Sequence, residues 1–140
     1  MKSTPHAYSL DEQVGFLLRR VTQRHLALFA EAIPELTTMQ FAALAKLTEL
    51  GPLSQNQLGR ETSMDSATIK GVVDRLRRQG LVATEPDPDD RRRLTVLMTP
   101  AGAKLFETTW RKALGVTAAT LEPLSAAEAK LLSGLLARMC

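Results

Sequence analysis

Cysteine is almost missing from this chain: of 140 residues only the last, Cys140, is one. A single thiol cannot close an internal disulfide, so the fold does not depend on an oxidising compartment. Nor can it anchor a metal: the two histidines, His6 and His25, stand at unrelated positions and no coordination set can be assembled. Oxidant sensing is not expected either, since only Arg138 stands close enough in sequence to activate Cys140. Aromatics are scarce at 4%, with one Trp and one Tyr. Together with abundant Leu and Ala, that scarcity argues for helices and against a β-sandwich. No apolar run approaches the ~18 residues that span a bilayer. The polar start, Met1 to Leu10, lacks the apolar stretch of a secretory signal, so a cytoplasmic protein without a membrane partner is expected. Catalytic groupings are also absent. No Ser/His/Asp or Cys/His arrangement, glycine-rich phosphate loop or paired carboxylate is legible, so neither enzymatic activity nor a cofactor is expected. Asp87, Asp89 and Asp90 are no cation site, because Arg91, Arg92 and Arg93 follow them directly and would repel the ion.

What remains is a chain that folds. Hydrophobic residues make up 44% and charged residues 24%, and the length suits one domain. The net charge of +3 is modest, but its distribution is not. Six of the 18 basic residues (Arg75, Arg77, Arg78, Arg91, Arg92 and Arg93) fall on two short elements. Such clustering points to an anionic partner more strongly than the net charge does.

Periodicity divides the chain into six helices and a hairpin. From Asp11, the residues Val14, Leu17, Leu18, Val21, His25 and Leu28 share one helical stripe, which Pro34 must end. Three capping boxes mark later helix starts: Thr37 with Gln40, Ser54 with Gln57, and Ser125 with Glu128. The Thr37 helix is apolar nearly all round and reaches Leu50, where Gly51-Pro52 stops it. The Ser54 helix runs to Glu61. Asp65 caps a helix over Ser66–Gln79, with Gly80 as its left-handed terminator. Leu81–Glu85 and Leu94–Met98 read as strands around a charged loop with two prolines, and so as a hairpin. Thr99-Pro100 opens a helix to about Thr120, loosened at Gly115, and the last helix runs from Ser125 to Met139. The chain is thus mainly α with a small β-hairpin.

Residues 37–99 then form three helices and a hairpin, the order of a winged helix-turn-helix, in which the second helix of the pair enters the major groove. Ile69, Val72, Val73 and Leu76 form the core-facing stripe of that helix. Its opposite face carries Ala67, Lys70, Gly71, Asp74 and Arg78, flanked by Thr68 and Arg75. Small residues at the centre of the face let it approach a groove floor. Ser66, Thr68 and Lys70 can reach base edges, and Arg75 and Arg78 phosphates. An ordinary solvated amphipathic helix has a similar pattern. The three arginines at the hairpin tip weigh against that reading, because their repulsion is relieved best by a duplex whose minor groove can accept one of them.

The run Leu58-Gly59-Arg60-Glu61-Thr62-Ser63-Met64-Asp65-Ser66-Ala67-Thr68, with Val73-Asp74-Arg75-Leu76 and Gly80-Leu81-Val82, resembles the MarR family. So does Pro86-Asp87-Pro88-Asp89-Asp90-Arg91-Arg92 followed by Leu97-Met98-Thr99-Pro100-Ala101-Gly102. Counting back from Thr99 places the family's wing pair at Asp90 and Arg92, and Met98 replaces the usual Leu. The resemblance covers nearly the whole chain. It implies a homodimer whose helices at 10–33 and 100–140 interlock and flank the winged helix-turn-helix lobe, and which binds a pseudo-palindromic duplex as a repressor. The DNA contacts it implies are Ser54 and Gln55 at the start of the supporting helix; Asp65, Ser66, Ala67, Thr68, Lys70, Gly71, Arg75 and Arg78 on the reading helix; and Asp90, Arg91 and Arg92 on the wing. It also implies a small aromatic carboxylate effector bound between the dimerisation helices and the reading lobe. The stretch from Tyr8 to Gly15 is similar to nicotinate-catabolism regulators of the family, which implies a hydroxynicotinate-like effector. His25, Arg19, Arg20, Trp110, His6 and Tyr8 are the candidates to meet it; each also has a structural reading, as core, interface or solvated residue. The competing function is a low-specificity architectural DNA-binding protein, which site preference would distinguish.

Overall fold

Helix boundaries follow the capping chemistry closely. The computed structural model describes residues 7–140. Helix α1 (Val14–Ala32) stops ahead of Pro34. It begins at Val14 rather than Asp11, because Leu10–Glu12 forms a tighter 3₁₀ turn closed by the Gln13 side chain on the Ser9 carbonyl, 2.9 Å. Helices α2 (Thr38–Leu50), α3 (Gln55–Glu61) and α6 (Ala126–Met139) each start on a complete capping box, from Thr37, Ser54 and Ser125. In α4 (Ser66–Arg78) the Asp65 carboxylate accepts from the Thr68 amide. Gly51 (φ 79°) and Gly80 (φ 74°) adopt the left-handed turns that follow α2 and α4. Helix α5 (Pro100–Thr120) runs unbroken through Gly115, where a loosening was expected. One glycine costs a helix only about 1 kcal/mol, and the capped start and packing of α5 outweigh it.

The sheet differs from the expected hairpin by one strand. Strands β2 (Val82–Pro86) and β3 (Leu94–Met98) pair antiparallel from Val82↔Met98 to Pro86↔Leu94. A third strand, β1 (Leu53–Ser54), pairs with the other side of β3, giving the order β1-β3-β2. Two residues are too few for alternation to show in sequence; only the pairing with β3 defines them. Pro86 is tolerated because β2 is an edge strand.

The core gathers Phe29 and Ile33 of α1, Leu36, Leu44 and Leu47 at α2, Leu58 of α3, the α4 stripe Ile69, Val72, Val73 and Leu76, and Val96 of β3. Phe41 bridges α1 and α5, its ring centroid 5.8 Å from Phe29 and 5.3 Å from Phe106. This core belongs to the central lobe and the helix parts that touch it. Val14, Leu17, Leu18 and Val21 of α1 are exposed, as are Leu131, Leu135 and Met139 of α6, and α6 contributes no buried residue.

Helix α5 is seated on the lobe through its first turn. The Thr99 hydroxyl donates to the Gly80 carbonyl at 2.7 Å and accepts from the Gly102 amide at 3.1 Å. Gly102 lies so close that a Cβ there would overlap the Leu81 carbonyl oxygen and press on the Met98 sulfur. Since the obstacle is backbone, it cannot rotate away. Gly102→Ala is therefore expected to lower stability by about 1–3 kcal/mol, read as a fall in urea midpoint with unchanged slope; an unshifted midpoint would contradict the packing.

Candidate nucleic-acid interface

The turn between α3 and α4 fixes the reading helix. The Met64 amide donates to the Gly59 carbonyl (2.8 Å), and the Thr62 hydroxyl to Leu58 (2.6 Å). Ser63 takes a left-handed conformation, φ 57°, at a cost of roughly 1–2 kcal/mol. Gly59 lets α3 close onto α4: a Cβ there would stand 3.1 Å from both Ile69 Cγ2 and the Met64 carbonyl.

Helix α4 then shows two distinct faces. Ile69, Val72, Val73 and Leu76 are buried, as their spacing predicts. Ser66, Ala67, Lys70, Arg75 and Arg78 are exposed, and Thr68, Gly71 and Asp74 are half-buried. No atom lies within 4 Å of where a Gly71 Cβ would be, so the centre of the outward face is open. Lys70 Nζ donates to Asp74 at 2.9 Å, and Arg77 lies 3.5 Å from the same carboxylate. The Lys70 hydrogen bond holds the Asp74 carboxyl below its usual range. The Thr68 backbone amide does the same for Asp65. Both groups are ionised at neutral pH, and the Asp65 cap is lost only when pH falls through that lowered value.

The wing tip is built by its aspartates. Asp87 Oδ1 accepts from the amides of Asp89 (2.8 Å) and Asp90 (3.3 Å). Asp90 Oδ1 accepts from the Arg92 amide at 3.0 Å and its Nε at 3.3 Å, and Arg93 Nε lies 3.9 Å from Asp90 Oδ2. The Arg93 carbonyl, accepting from the Asp87 amide at 2.9 Å, closes the loop. Arg91, Arg92 and Arg93 are exposed, the Arg92 side chain at 92%. The aspartates therefore present the arginines as well as offsetting their repulsion. Ser54, Asp65 and Asp90 each have side-chain oxygens engaged in a cap or turn.

Two small clefts connect these parts. One, of about 90 Å³, is bordered by Ser54, Gln55 and Asn56 at the start of α3 and by Arg92, Arg93 and Leu94 of the wing. Another, of about 350 Å³, is bordered by Asn56 and Arg60 of α3 and by Asp65 and Ser66 at the start of α4. Asn56 belongs to both, so wing tip, supporting helix and reading helix share one continuous surface. Asn56, Arg60 and Arg93 were not among the candidate contacts. Arg60 stands on the exposed side of α3, a signal that was available in the periodicity.

The effector candidates are less well gathered. His6 lies outside the described residues. Tyr8, Arg19 and Arg20 are exposed, and the Arg20 guanidinium stands 5.9 Å over the Phe16 ring. Trp110 is half-buried, with the Arg111 guanidinium 5.1 Å over its ring. His25 is half-buried, its Nδ1 2.9 Å from the Thr120 hydroxyl oxygen. That hydroxyl donates to the Val116 carbonyl (2.8 Å), so in the contact with His25 it accepts from an N–H on Nδ1. None of the described candidates, Tyr8, Arg19, Arg20, His25 and Trp110, lines the cleft of about 540 Å³ between α1 and α2, which is bordered by Leu26, Phe29, Ile33, Leu36, Thr37 and Gln40 among others. Among the described residues no helix is long and apolar enough to cross a membrane, and no group of three His, Cys, Asp or Glu residues is placed to hold a metal.

Known proteins of the same build give this surface its context. Residues 35–93 match the MarR family. The chain is 40% identical over 141 aligned residues to the HTH-type transcriptional repressor NicR of Pseudomonas putida, covering 99% of this chain and 88% of that protein. A probable transcriptional regulator from Pseudomonas aeruginosa has a crystal structure that superposes with a TM-score of 0.91 at 51% identity, over 94% of this chain and all of that one. Bordetella bronchiseptica BpsR, whose DNA binding is regulated by 6-hydroxynicotinic acid, superposes with a TM-score of 0.91 at 40% identity, over 96% of this chain and 97% of its own.

Proposed function

The chain belongs to the MarR family, and from that premise we propose that it is a homodimeric repressor released from a pseudo-palindromic operator by a small aromatic acid. The observation that carries this reading is the continuous surface joining the wing arginines, α3 and the start of α4, beside the exposed basic face of α4. A duplex fits such a surface: α4 enters the major groove, with Ser66, Thr68 and Lys70 toward base edges and Ala67 and Gly71 allowing close approach. Arg75 and Arg78 meet phosphates, and Arg91 and Arg92 reach the flanking minor groove. Ser54 and Gln55 sit against the backbone at the start of α3, while Asp65 and Asp90 hold the backbone that presents their neighbours.

Dimerisation is supported by the exposed apolar residues of α1 and α6, which a lone protomer leaves in water. In this reading residues 10–33 and 100–140 form the dimer body and 37–99 the reading lobe. A two-fold dimer sets the two α4 helices in successive major grooves, ~34–36 Å apart, and represses by occupying the promoter.

For the effector, the likeness to BpsR supports a hydroxynicotinate-like acid. A planar acid needs an apolar wall and a donor for its carboxylate. The cleft between α1 and α2 offers such a wall; Arg19 and Arg20, exposed on α1 but outside the lining of that cleft, are the candidate donors, with His25, Tyr8 and Trp110 as further candidates to meet the acid. A ligand that prefers the conformer unable to span both half-sites draws the dimer off DNA.

The test is a titration of the protein against its own upstream intergenic DNA, with and without aromatic carboxylates including 6-hydroxynicotinate. Tight binding released by one acid supports the reading; binding indistinguishable from random duplex would point to an architectural protein instead. Within the same assay, Lys70→Ala is expected to lower affinity for the operator about tenfold or more, and for random duplex much less. Equal losses on both would make Lys70 a phosphate contact.

A further inference from the structure

Helix α5 is held at both ends, and the two holds are of different kinds. Its first turn is seated on the reading lobe through Thr99 and Gly102. Its last turn contains no basic residue to balance the carbonyls that point out of its end. Four C-terminal carbonyls of a helix lack intrahelical donors and carry partial negative charge, so a cation is favoured there. Here the cation comes from another helix. Arg24 of α1 donates from Nη1 to the Thr120 carbonyl and from Nη2 to the Ala119 carbonyl, both at 2.8 Å. The next residue, His25, adds its 2.9 Å contact to the Thr120 hydroxyl. Two adjacent residues of α1 thus grip the residue at which α5 gives way to the turn before α6.

We propose that Arg24 is a positioning residue: a latch across α1 and α5 that fixes the direction of α5 and thereby the separation of the two reading heads. This rests on the dimeric-repressor reading. Helix α5 has 21 residues and is about 31 Å long at the α-helical rise. A small tilt at the latched end therefore becomes a displacement of ångströms at the end that carries the lobe. The flat guanidinium fork suits the task, because it holds two carbonyls at once and so resists rotation as well as separation. Lysine would hold one carbonyl and leave a pivot. Since His25 shares Thr120 with the latch, an effector that engages His25 acts on the same joint.

The test compares the wild type with Arg24→Gln and Arg24→Lys on three duplexes: an operator selected in vitro by the wild type, the same operator with one base pair inserted between half-sites, and a single half-site. Arg24 is exposed and outside the core, so both variants should fold; circular dichroism and sedimentation check fold and dimer. Arg24→Gln is expected to lose about tenfold on the selected operator and to discriminate less against the inserted pair, with half-site affinity unchanged and Arg24→Lys intermediate. Unchanged spacing discrimination, an equal loss on operator and half-site, or a monomeric variant would each overturn the latch. A wild type indifferent to paired half-sites would sink the dimeric reading and the latch together; a discriminating wild type with an Arg24→Gln variant that discriminates equally well sinks the latch alone.

Discussion

Leu135→Glu is expected to turn the protein into a folded monomer that has lost about a hundredfold or more in operator affinity. Leu135 is exposed on α6, a helix that contributes nothing to the buried core. A carboxylate there costs the lone protomer little. In the proposed dimer it would be desolvated against an apolar partner surface without a counter-charge, which is strongly unfavourable. Once separated, each reading lobe binds its half-site without the other's help, and the gain from linking two sites, a factor of about 10²–10⁴, is forfeited. Sedimentation equilibrium gives the mass, circular dichroism the fold, and a titration the affinity. A Leu135→Glu protein that stays dimeric with native affinity would remove α6 from the interface.

The second large effect is expected at the wing. Replacing Arg91 and Arg92 together with alanine should weaken operator binding by about 30-fold or more and reduce the slope of log K against log salt by up to about 1.8, as two phosphate-neutralising charges would. The structure makes this pair suited to separating charge from shape. Asp90 holds the tip chiefly through the Arg92 backbone amide, at 3.0 Å, and Asp87 through the amides of Asp89 and Asp90. None of these bonds needs an arginine side chain, so the loop keeps its form when the charges go. Affinity and slope both unchanged would detach the wing from DNA binding altogether.

Most of the architecture was legible because it depends on short-range chemistry. The capping boxes at Thr37, Ser54 and Ser125 and the Asp65 cap satisfy donors three residues away, so each is visible in four letters of sequence. The α4 stripe was legible for a similar reason: burial of Ile69, Val72, Val73 and Leu76 follows from a period of 3.6. Strand β1 was not, since two residues carry no period and their pairing partner lies more than forty positions on. Nor did the sequence-based expectations include the hydrogen bonds by which Asp87 and Asp90 shape the tip, to the amides of Asp89 and Arg92.

The sequence by itself determined which segments are helical, which face of α4 is buried, and where the basic charge concentrates. Those properties are set within a few residues by caps, periodicity and composition. Only the tertiary structure decided that wing, α3 and α4 meet in one surface, that Gly102 must be glycine to pass the Leu81 carbonyl, and that Arg24 reaches Ala119 and Thr120. These depend on contacts between residues far apart in the chain. It decided too that Val14, Leu17, Leu18 and Val21 of α1, and Leu131, Leu135 and Met139 of α6, lie outside the protomer's core. Hydrophobicity fixes that a surface must be covered; the arrangement of the other helices fixes whether the same chain can cover it.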